Sequence, residues 1–528
     1  MRILLILFCG VLVTGCGISK SSFSPARKYS PEKLHKDYSV YQQILEEVHP
    51  GLYWYQPKDS MDYYFNWGKE QLNDSLTETE FRKILAYVTA KINCGHTSIR
   101  VSKKYSQYVD TARVSRIFPL SLKLWDDTAV VAANLDRRDS LLKRGTVIRK
   151  INGRPVSKIV DTLFNYISTD GYNTTHKYQS LSNRGYFGSL YTSILGFSPA
   201  YTIEYTDSTG AIKNTSVKTY RPVLDTTERP AIRPVRTLPQ PSRKERNSLR
   251  RNSVRLLKID STDHIAMMDL NSFGRGYGLK GFFRRSFKTL KKNNIGHLLI
   301  DVRGNGGGSV TNSTLITRYI SDHPFKVGDS LYAIVKRKKY SRYIKNDFFN
   351  RLFMTFFTKR KTDGFYHFRY FEKKSFQPKK KNHFDGKVYI LTGGNSFSAT
   401  TLFASSLIKQ NNVILVGEET GGGAYGNSAW LIPDVTLPET KVRFRLPLFR
   451  LVIDKNYPKT GKGVQPEVEV KPTAEAIKRG ADYKVDKVMQ LIKLDKESQR
   501  PPGLIQTPPG LPKGVEPIHS PCFSKILF

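Results

Sequence analysis

The sequence predicts an α/β fold, and three observations predict it. Residues 388–391 form a short apolar run, followed by the turn Thr392-Gly393-Gly394-Asn395. A segment with Leu402, Phe403, Ser406 and Leu407 at helical spacing comes next, then a second apolar run at 413–416 and a glycine-rich turn. That order is strand–turn–helix–strand, the grammar of an α/β layer. Another apolar run, 297–300, ends in Asp301-Val302-Arg303-Gly304-Asn305-Gly306-Gly307-Gly308. Its three consecutive glycines let backbone N–H groups approach a ligand closely. Finally, the periodicity changes along the chain, from helical up to residue 93 to short strands over 118–221.

At 528 residues the chain can bury a large core shared by several domains. Residues 1–15 read as a signal peptide: Arg2, an almost wholly apolar run from Ile3 to Val13, then Thr14 and Gly15. The run is too short to span a bilayer. Val13-Thr14-Gly15-Cys16 resembles the lipobox of bacterial lipoproteins. This predicts cleavage before Cys16, lipid on its thiol, and anchorage in the bacterial cell envelope, on the periplasmic or outer surface. An ordinary secretory signal with an incidental Cys16 is the alternative. Residues 16–30, Ser-rich and basic, suit a tether. Of the four cysteines, Cys9 leaves with the signal and Cys16 carries lipid. Cys94 and Cys522 remain, far apart, so no disulfide framework is expected. No spaced Cys/His pattern predicts zinc or another metal.

Residues 31–100 read as a helical domain. Ser30-Pro31-Glu32 is a start signal, and Tyr38, Tyr41, Ile44, Leu45 and Val48 form an apolar stripe. A second helix is expected near 60–72. A third begins at Thr77 or Thr79, with Phe81, Ile84, Leu85, Val88 and Ile92 on one face. It leads into Cys94-Gly95-His96-Thr97. A lone histidine is more often structural, but this one lies in a glycine turn rather than on an apolar face. Residues 117–222 read as a domain of short strands with an insertion over 169–192, and 223–253, rich in Pro, Arg and Thr, as a linker. The core spans 254–472, with a strand over 264–270 and a basic helix over 281–293. A C-terminal helix is expected over 473–497. The tail, 498–528, has repeated Pro-Pro-Gly and Leu-Pro elements and reads as disordered.

A serine at a strand-to-helix turn has a hydroxyl at the sheet edge, beside helix N–H groups that lack intrahelical partners. Ser396 and Ser398 both qualify, although an N-cap role is the plainer reading of either. The glycine-rich loop at 301–308 could be read as a phosphate loop, but no Gly-Lys-Ser/Thr follows it.

The motifs DVRGNGGG, NSFSATT and GEETGGG, in that order, resemble the S41 serine peptidases, a family that includes C-terminal processing peptidases and tricorn-core peptidases. The resemblance implies a crotonase-like core and a serine-type endopeptidase acting on polypeptides without metal or cofactor. It places the nucleophile at Ser398 and the oxyanion hole at the N–H groups of Ala399 and Gly307. Processing peptidases take a lysine base from the turn near Gly423, but no lysine occurs over 411–440. Tricorn-type members use a histidine from an N-terminal segment, which implies His96 as base. Such a base acts when neutral, so activity is expected to rise through its pKa, about 6.5 for an unperturbed histidine. The tricorn-type glutamate falls at Thr460, ahead of Gly463-Val464-Gln465-Pro466-Glu467. Glu418 and Glu419 are the candidates to replace it, or the carboxylate is absent. Residues 142–156 resemble a PDZ segment, which implies capture of a peptide C-terminus. A small β domain that binds nothing is the alternative.

Residues 336–382 interleave Lys336, Arg337, Lys338 and Lys339 and two further cation runs with Phe348, Phe349, Phe353, Phe356 and Phe357. An exported protein rarely meets nucleic acid, so that partner is excluded in favour of anionic lipid or lipopolysaccharide. A solvated insertion whose rings pack on the core is the plainer reading. The net charge of +40 favours anionic surfaces or acidic substrates generally. The competing function is a non-catalytic peptide- or glycan-binding lipoprotein on the same scaffold.

Overall fold

The computed structural model describes residues 23–111, 117–220 and 241–498. The leader, Cys16 with the first part of the tether, residues 221–240 of the linker and the tail beyond residue 498 lie outside the described residues.

The apolar runs of the core become neighbouring strands of one sheet. Arg255–Asp260 (β1), Ile265–Leu270 (β2), His297–Asp301 (β3), Lys387–Thr392 (β4), Val413–Gly417 (β5) and Val468–Glu469 (β6) lie side by side in chain order. β1 is antiparallel to β2, and the others run parallel. Parallel strands need cover on both faces, which is why β3 and β4 are almost continuously apolar. Alternate residues supply two cores. Leu298, Ile300, Val388 and Ile390 pack with Phe283, Phe287, Ile316 and Phe403, and Leu299, Tyr389 and Leu391 pack with Val488 and Ile492. The single C-terminal helix expected is two, of which the second carries Val488 and Ile492. Ala474–Arg479 stops at Gly480, whose φ of +72° suits a glycine after a helix, and Tyr483–Ser498 starts afresh.

Ahead of the core, Pro31–Val48 and Lys58–Glu70 are followed by Glu78–Lys91 (α1). Thr77 Oγ1 accepts from Glu80 N, while the Glu80 carboxylate accepts from Thr77 N, a reciprocal cap that fixes where α1 starts. After the turn at 93–97, Ile99–Arg100 pairs antiparallel with Arg443–Arg445, and Arg445 N donates to Ser98 O. The helices share one core with the far end of the chain, where Tyr41, Phe81 and Val88 pack with Phe444, Phe449 and Leu451. Each such buried side chain contributes about 2 kcal/mol. The buried Asp37 carboxylate adds a polar clasp by accepting from Glu439 N, Thr440 N and Thr440 Oγ1. The end of the predicted tether, Lys28–Tyr29, is a short strand against Leu76–Thr77.

The next unit is an antiparallel sheet in the order Leu120–Trp125, Thr128–Asn134, Val147–Ile151, Ala200–Thr206 and Ile212–Lys218. Between its third and fourth strands lie Val156–Phe164, Thr174–Ser182 (α2) and Tyr186–Leu195. The stretch read as an insertion is therefore largely helical, and Asn173 caps α2 by accepting from His176 N. The described end of the linker is also a helix, Arg243–Asn252, capped by Ser242 and Glu245.

The basic insertion contains Asp347–Phe357 (α3). Its short strands Lys359–Arg360 and Tyr366–His367 join Ser330–Ala333, Phe449–Val452 and Gly426–Ala429 in a second sheet. It is thus built into the fold rather than laid over it. Between β4 and β5 lies the short helix Ala399–Ser405 (α4). No helix among the described residues is long and apolar enough to cross a membrane.

Asp37→Ala removes one acceptor from three buried donors. It is expected to cost about 2–4 kcal/mol and to lower the melting temperature. A thermal scan in which this variant matches the parent would contradict the clasp.

Candidate functional site

The two candidate serines are separated by their backbone surroundings. Ser396 is buried, donates to Val302 O at 2.8 Å and accepts from Gly393 N at 3.2 Å, so its hydroxyl fastens the turn to the end of β3. Ser398 makes no cap hydrogen bond to α4, which removes the plain N-cap reading, and the residue is half-buried. Its backbone lies at φ +57°, ψ −121°. A non-glycine residue in that region costs on the order of 1–3 kcal/mol, and such strain collects where a side chain must be aimed.

The glycine loop after β3 packs directly under this turn. A Cβ on Gly307 would meet Phe397 O at 2.6 Å, Ser398 Cβ at 2.8 Å and Ala399 N at 2.9 Å. The φ of +95° at Gly307 also demands glycine. Asn305, fully buried, organises the loop: its Nδ2 donates to Leu270 O, its Oδ1 accepts from Gly307 N, and its carbonyl accepts from Phe397 N. The N–H of Ala399 makes no hydrogen bond among the described residues, and neither does that of Gly308. The N–H of Gly307 is taken at 2.9 Å by Asn305, so that of Gly308 is the open donor of this turn.

His96 is buried, and its ring lies 4.9 Å from that of Phe397, the residue before Ser398. The N-terminal helices thus bring His96 to the serine turn across three hundred residues of sequence. Neither ring nitrogen has a hydrogen-bond partner among the described residues, so the bond between Ser398 Oγ and His96 is not made in this arrangement. Burial, with help from the Arg445 and His176 charges, lowers the His96 pKa to about 3. The imidazole is therefore neutral at any ordinary pH, and the expected titration at about 6.5 does not hold for this buried ring.

The carboxylate beside His96 is Asp170, a residue the sequence reading missed. Asp170 Oδ1 stands 3.9 Å from His96 Nδ1. It accepts from Gly95 N at 2.9 Å, and Oδ2 accepts from Gly423 N at 3.3 Å. Burial raises the Asp170 pKa, partly offset by these two donors and by Arg450. His176, on α2, also packs on Phe397, at 5.0 Å. Its Nδ1 donates to Gly394 O at 2.7 Å, which fixes the tautomer and leaves Nε2 as the basic nitrogen. Asp170 and His176 both come from the stretch read as an insertion. The pairing of an acid and a histidine six residues apart was the only local signal there.

Neither glutamate proposed from the sequence takes this place. Glu418 is bound to Lys484 Nζ at 2.5 Å, and although burial opposes its ionisation, Lys484, Lys123 and Arg303 hold its pKa below the usual range. Glu419 accepts from Gly463 N at 2.6 Å and Asn173 Nδ2 at 3.0 Å, which stitches two loops together. Lys484 is committed to Glu418 and Thr392 O, so it is no substitute for the lysine missing near Gly423. Cys94 is buried, and its thiol pKa is pushed up to about 11, mainly by burial, so it is no nucleophile.

Residues 264–470 match the profile of peptidase family S41. Among solved structures, the fold is similar to that of mature CPAF, with a TM-score of 0.60, 15% identity, and coverage of 88% of this chain and 98% of that one. Mature CPAF complexed with lactacystin gives a TM-score of 0.61 at 14% identity over the same shares. The photosystem II D1 C-terminal processing protease matches 85% of this chain and 98% of its own, at 12% identity and a TM-score of 0.38. At these identities the likeness to CPAF is one of fold. No curated protein sequence matches the chain.

Gly307→Ala should push the Ser398 turn out of place. Labelling of Ser398 by a serine-directed phosphonate is expected to slow by about a hundredfold. Unchanged labelling, read by mass spectrometry of the intact protein, would contradict the packing of loop against turn.

Proposed function

From the chain's membership of peptidase family S41, carried by residues 264–470, we propose that it is a serine endopeptidase acting on exported proteins or peptides. The observation that carries the reading is Ser398, held at φ +57° without a capping bond, beside an open Ala399 N–H. In the proposed reaction Ser398 Oγ bonds to the scissile carbonyl carbon while its proton passes to His96. The oxyanion is held by the N–H groups of Ala399 and Gly308, that of Gly307 being taken by Asn305. The C–N bond then breaks, and the imidazolium returns the proton to the leaving amine. Water, deprotonated by the same ring, hydrolyses the acyl ester and restores Ser398.

Asp170 takes the part of the missing glutamate. At 3.9 Å, its carboxylate lies where positive charge would develop on the ring. The proton transfer requires the His96 ring, which packs on Phe397, to come within hydrogen-bond reach of the hydroxyl. The antiparallel domain over 117–220 is read as PDZ-like, presenting the peptide, and the central sheet as crotonase-like. The lipobox supports envelope anchorage through Cys16, and the charge of +40 supports contact with anionic lipid or lipopolysaccharide.

The test is hydrolysis of casein by the mature chain. Ser398→Ala and His96→Ala are each expected to lose about 10³-fold or more in kcat/KM, and Asp170→Asn about 10²–10³-fold, with folding unchanged. Retained activity in His96→Ala together with loss in His176→Ala would move the base to α2. An inert parent that also resists phosphonate labelling would favour the binding-protein reading, which is motivated by the residue Thr460 where a glutamate is expected.

The pH profile is a separate check. A lowered folded pKa means the neutral ring is the folded-state form down to about pH 3. Activity is therefore expected to stay level between about pH 8 and pH 5. On this account the stability contribution of the neutral ring is complete above about 6.5, the unfolded value, and falls away as pH drops towards 3. An acid limb in kcat/KM at about 6.5, with the fold intact by circular dichroism, would contradict a buried base.

A further inference from the structure

Helix α3 is apolar on two sides. Met354 and Phe353 face inward, Phe353 packing on Phe368 and Phe449. Phe348, Phe349, Leu352 and Phe356 recur on the other side within about a 100° arc, and they are uncovered, with Phe348 61%, Phe349 66% and Phe356 73% exposed. An exposed cluster of large rings marks a surface that meets something. Tyr370, 67% exposed, lies against the same edge, where Phe356, Phe357, Tyr370, Lys373 and Lys374 line a shallow cleft of about 430 Å³.

Cations predominate around this face. A second cleft, which shares Lys359, Arg369 and Lys373 with the first, adds Arg360 and Lys361. The nearby acids are turned to internal partners: Asp347 to Lys338 at 2.9 Å, Asp363 to His367 at 2.8 Å, and Glu372 to His367 at 2.6 Å and Lys361 at 2.8 Å. Rings flanked by Lys359, Arg360, Arg369 and Lys373, which make no ion pair among the described residues, suit an interface whose outer layer is anionic and whose inner layer is apolar. A second copy is a poor occupant, because a two-fold contact would set this cation cluster against itself.

We propose that the exposed face of α3 and the adjoining basic cleft form a docking surface for an anionic phospholipid bilayer. The rings enter the boundary between head groups and acyl chains, and Lys359, Arg360, Arg369 and Lys373 take the lipid phosphates. The inference rests on the envelope location proposed above, but not on the peptidase chemistry. It supplies a second attachment, which would hold the enzyme against the membrane surface rather than at the end of a tether.

The experiment is vesicle co-sedimentation with the mature chain carrying Cys16→Ser, so that no lipid anchors it. Vesicles are either phosphatidylcholine alone or phosphatidylcholine with about 30% phosphatidylglycerol. The parent is expected to bind the anionic vesicles at least about tenfold more tightly, with affinity falling as salt rises. Phe348→Ser with Phe349→Ser and Phe356→Ser should abolish most of that binding. Lys359→Gln with Lys373→Gln should weaken it severalfold and flatten the salt dependence. Both variants should hydrolyse casein as the parent does, and vesicle binding by an enzyme inert on casein would leave this proposal standing while sinking the peptidase reading. Equal binding to both vesicle types, or anionic binding unchanged in both variants, would overturn it. So would a dimer in the parent that the ring variant dissolves, or capture of an acidic polypeptide in place of the anionic vesicles.

Discussion

One buried carboxylate holds the site together. Asp170 accepts N–H groups from Gly95, in the turn that carries His96, and from Gly423, in the glycine turn after β5. Three segments from three parts of the chain converge on it. Burying a carboxylate is costly unless donors surround it, so its place there requires both glycine turns to present bare N–H groups inward. Around this junction, Ile99–Arg100 pairs with Arg443–Arg445 and Gly171 N donates to Asn93 O, so the histidine turn has little freedom to drift. The same junction sets the electrostatics of the base. Burial keeps His96 neutral, and the nearby acid lies where positive charge would develop on the ring.

The nucleophile turn follows a similar logic. Ser396 secures the turn through Val302 O and Gly393 N, which frees Ser398 from any structural duty. Gly307 must lack a side chain because Ser398 and Ala399 lie where one would stand. The strain at Ser398 is held by Asn305, which ties the loop after β3 to β2 on one side and to Phe397 on the other. Stabilising hydrogen bonds elsewhere thus offset an unfavourable backbone at the reacting residue.

Much of this was legible in the sequence, because local physics decides it. The parallel strands announced themselves as apolar runs, and the turns after β3 and β4 as glycine and serine clusters. The cap at Thr77 fixed the start of α1, the helix that leads to the His96 turn. Asp170 was not legible, since an acid's role beside a histidine depends on where a helical excursion folds back, and Tyr, Asn and Ser residues gave that excursion no clear period. The lowered pKa of His96 was hidden for the same reason: desolvation is a property of packing rather than of residue type. Glu418 and Glu419 looked plausible by position, but Lys484, at the start of the last helix, claims the first, and loop N–H groups claim the second. The exposed rings of α3 also look like core residues until the fold shows which of them are covered.

The direct test of the account is a double-mutant cycle on kcat/KM between His96→Ala and Asp170→Asn, with Ser398→Ala as the floor. If the acid acts only through the histidine, the double variant should fall within about twofold of His96→Ala alone, because a residue that acts through another has nothing left to contribute once its partner is gone. If the two losses multiply, or if Asp170→Asn has no effect while His96→Ala is inert, Asp170 is a structural clasp and the catalytic carboxylate lies elsewhere.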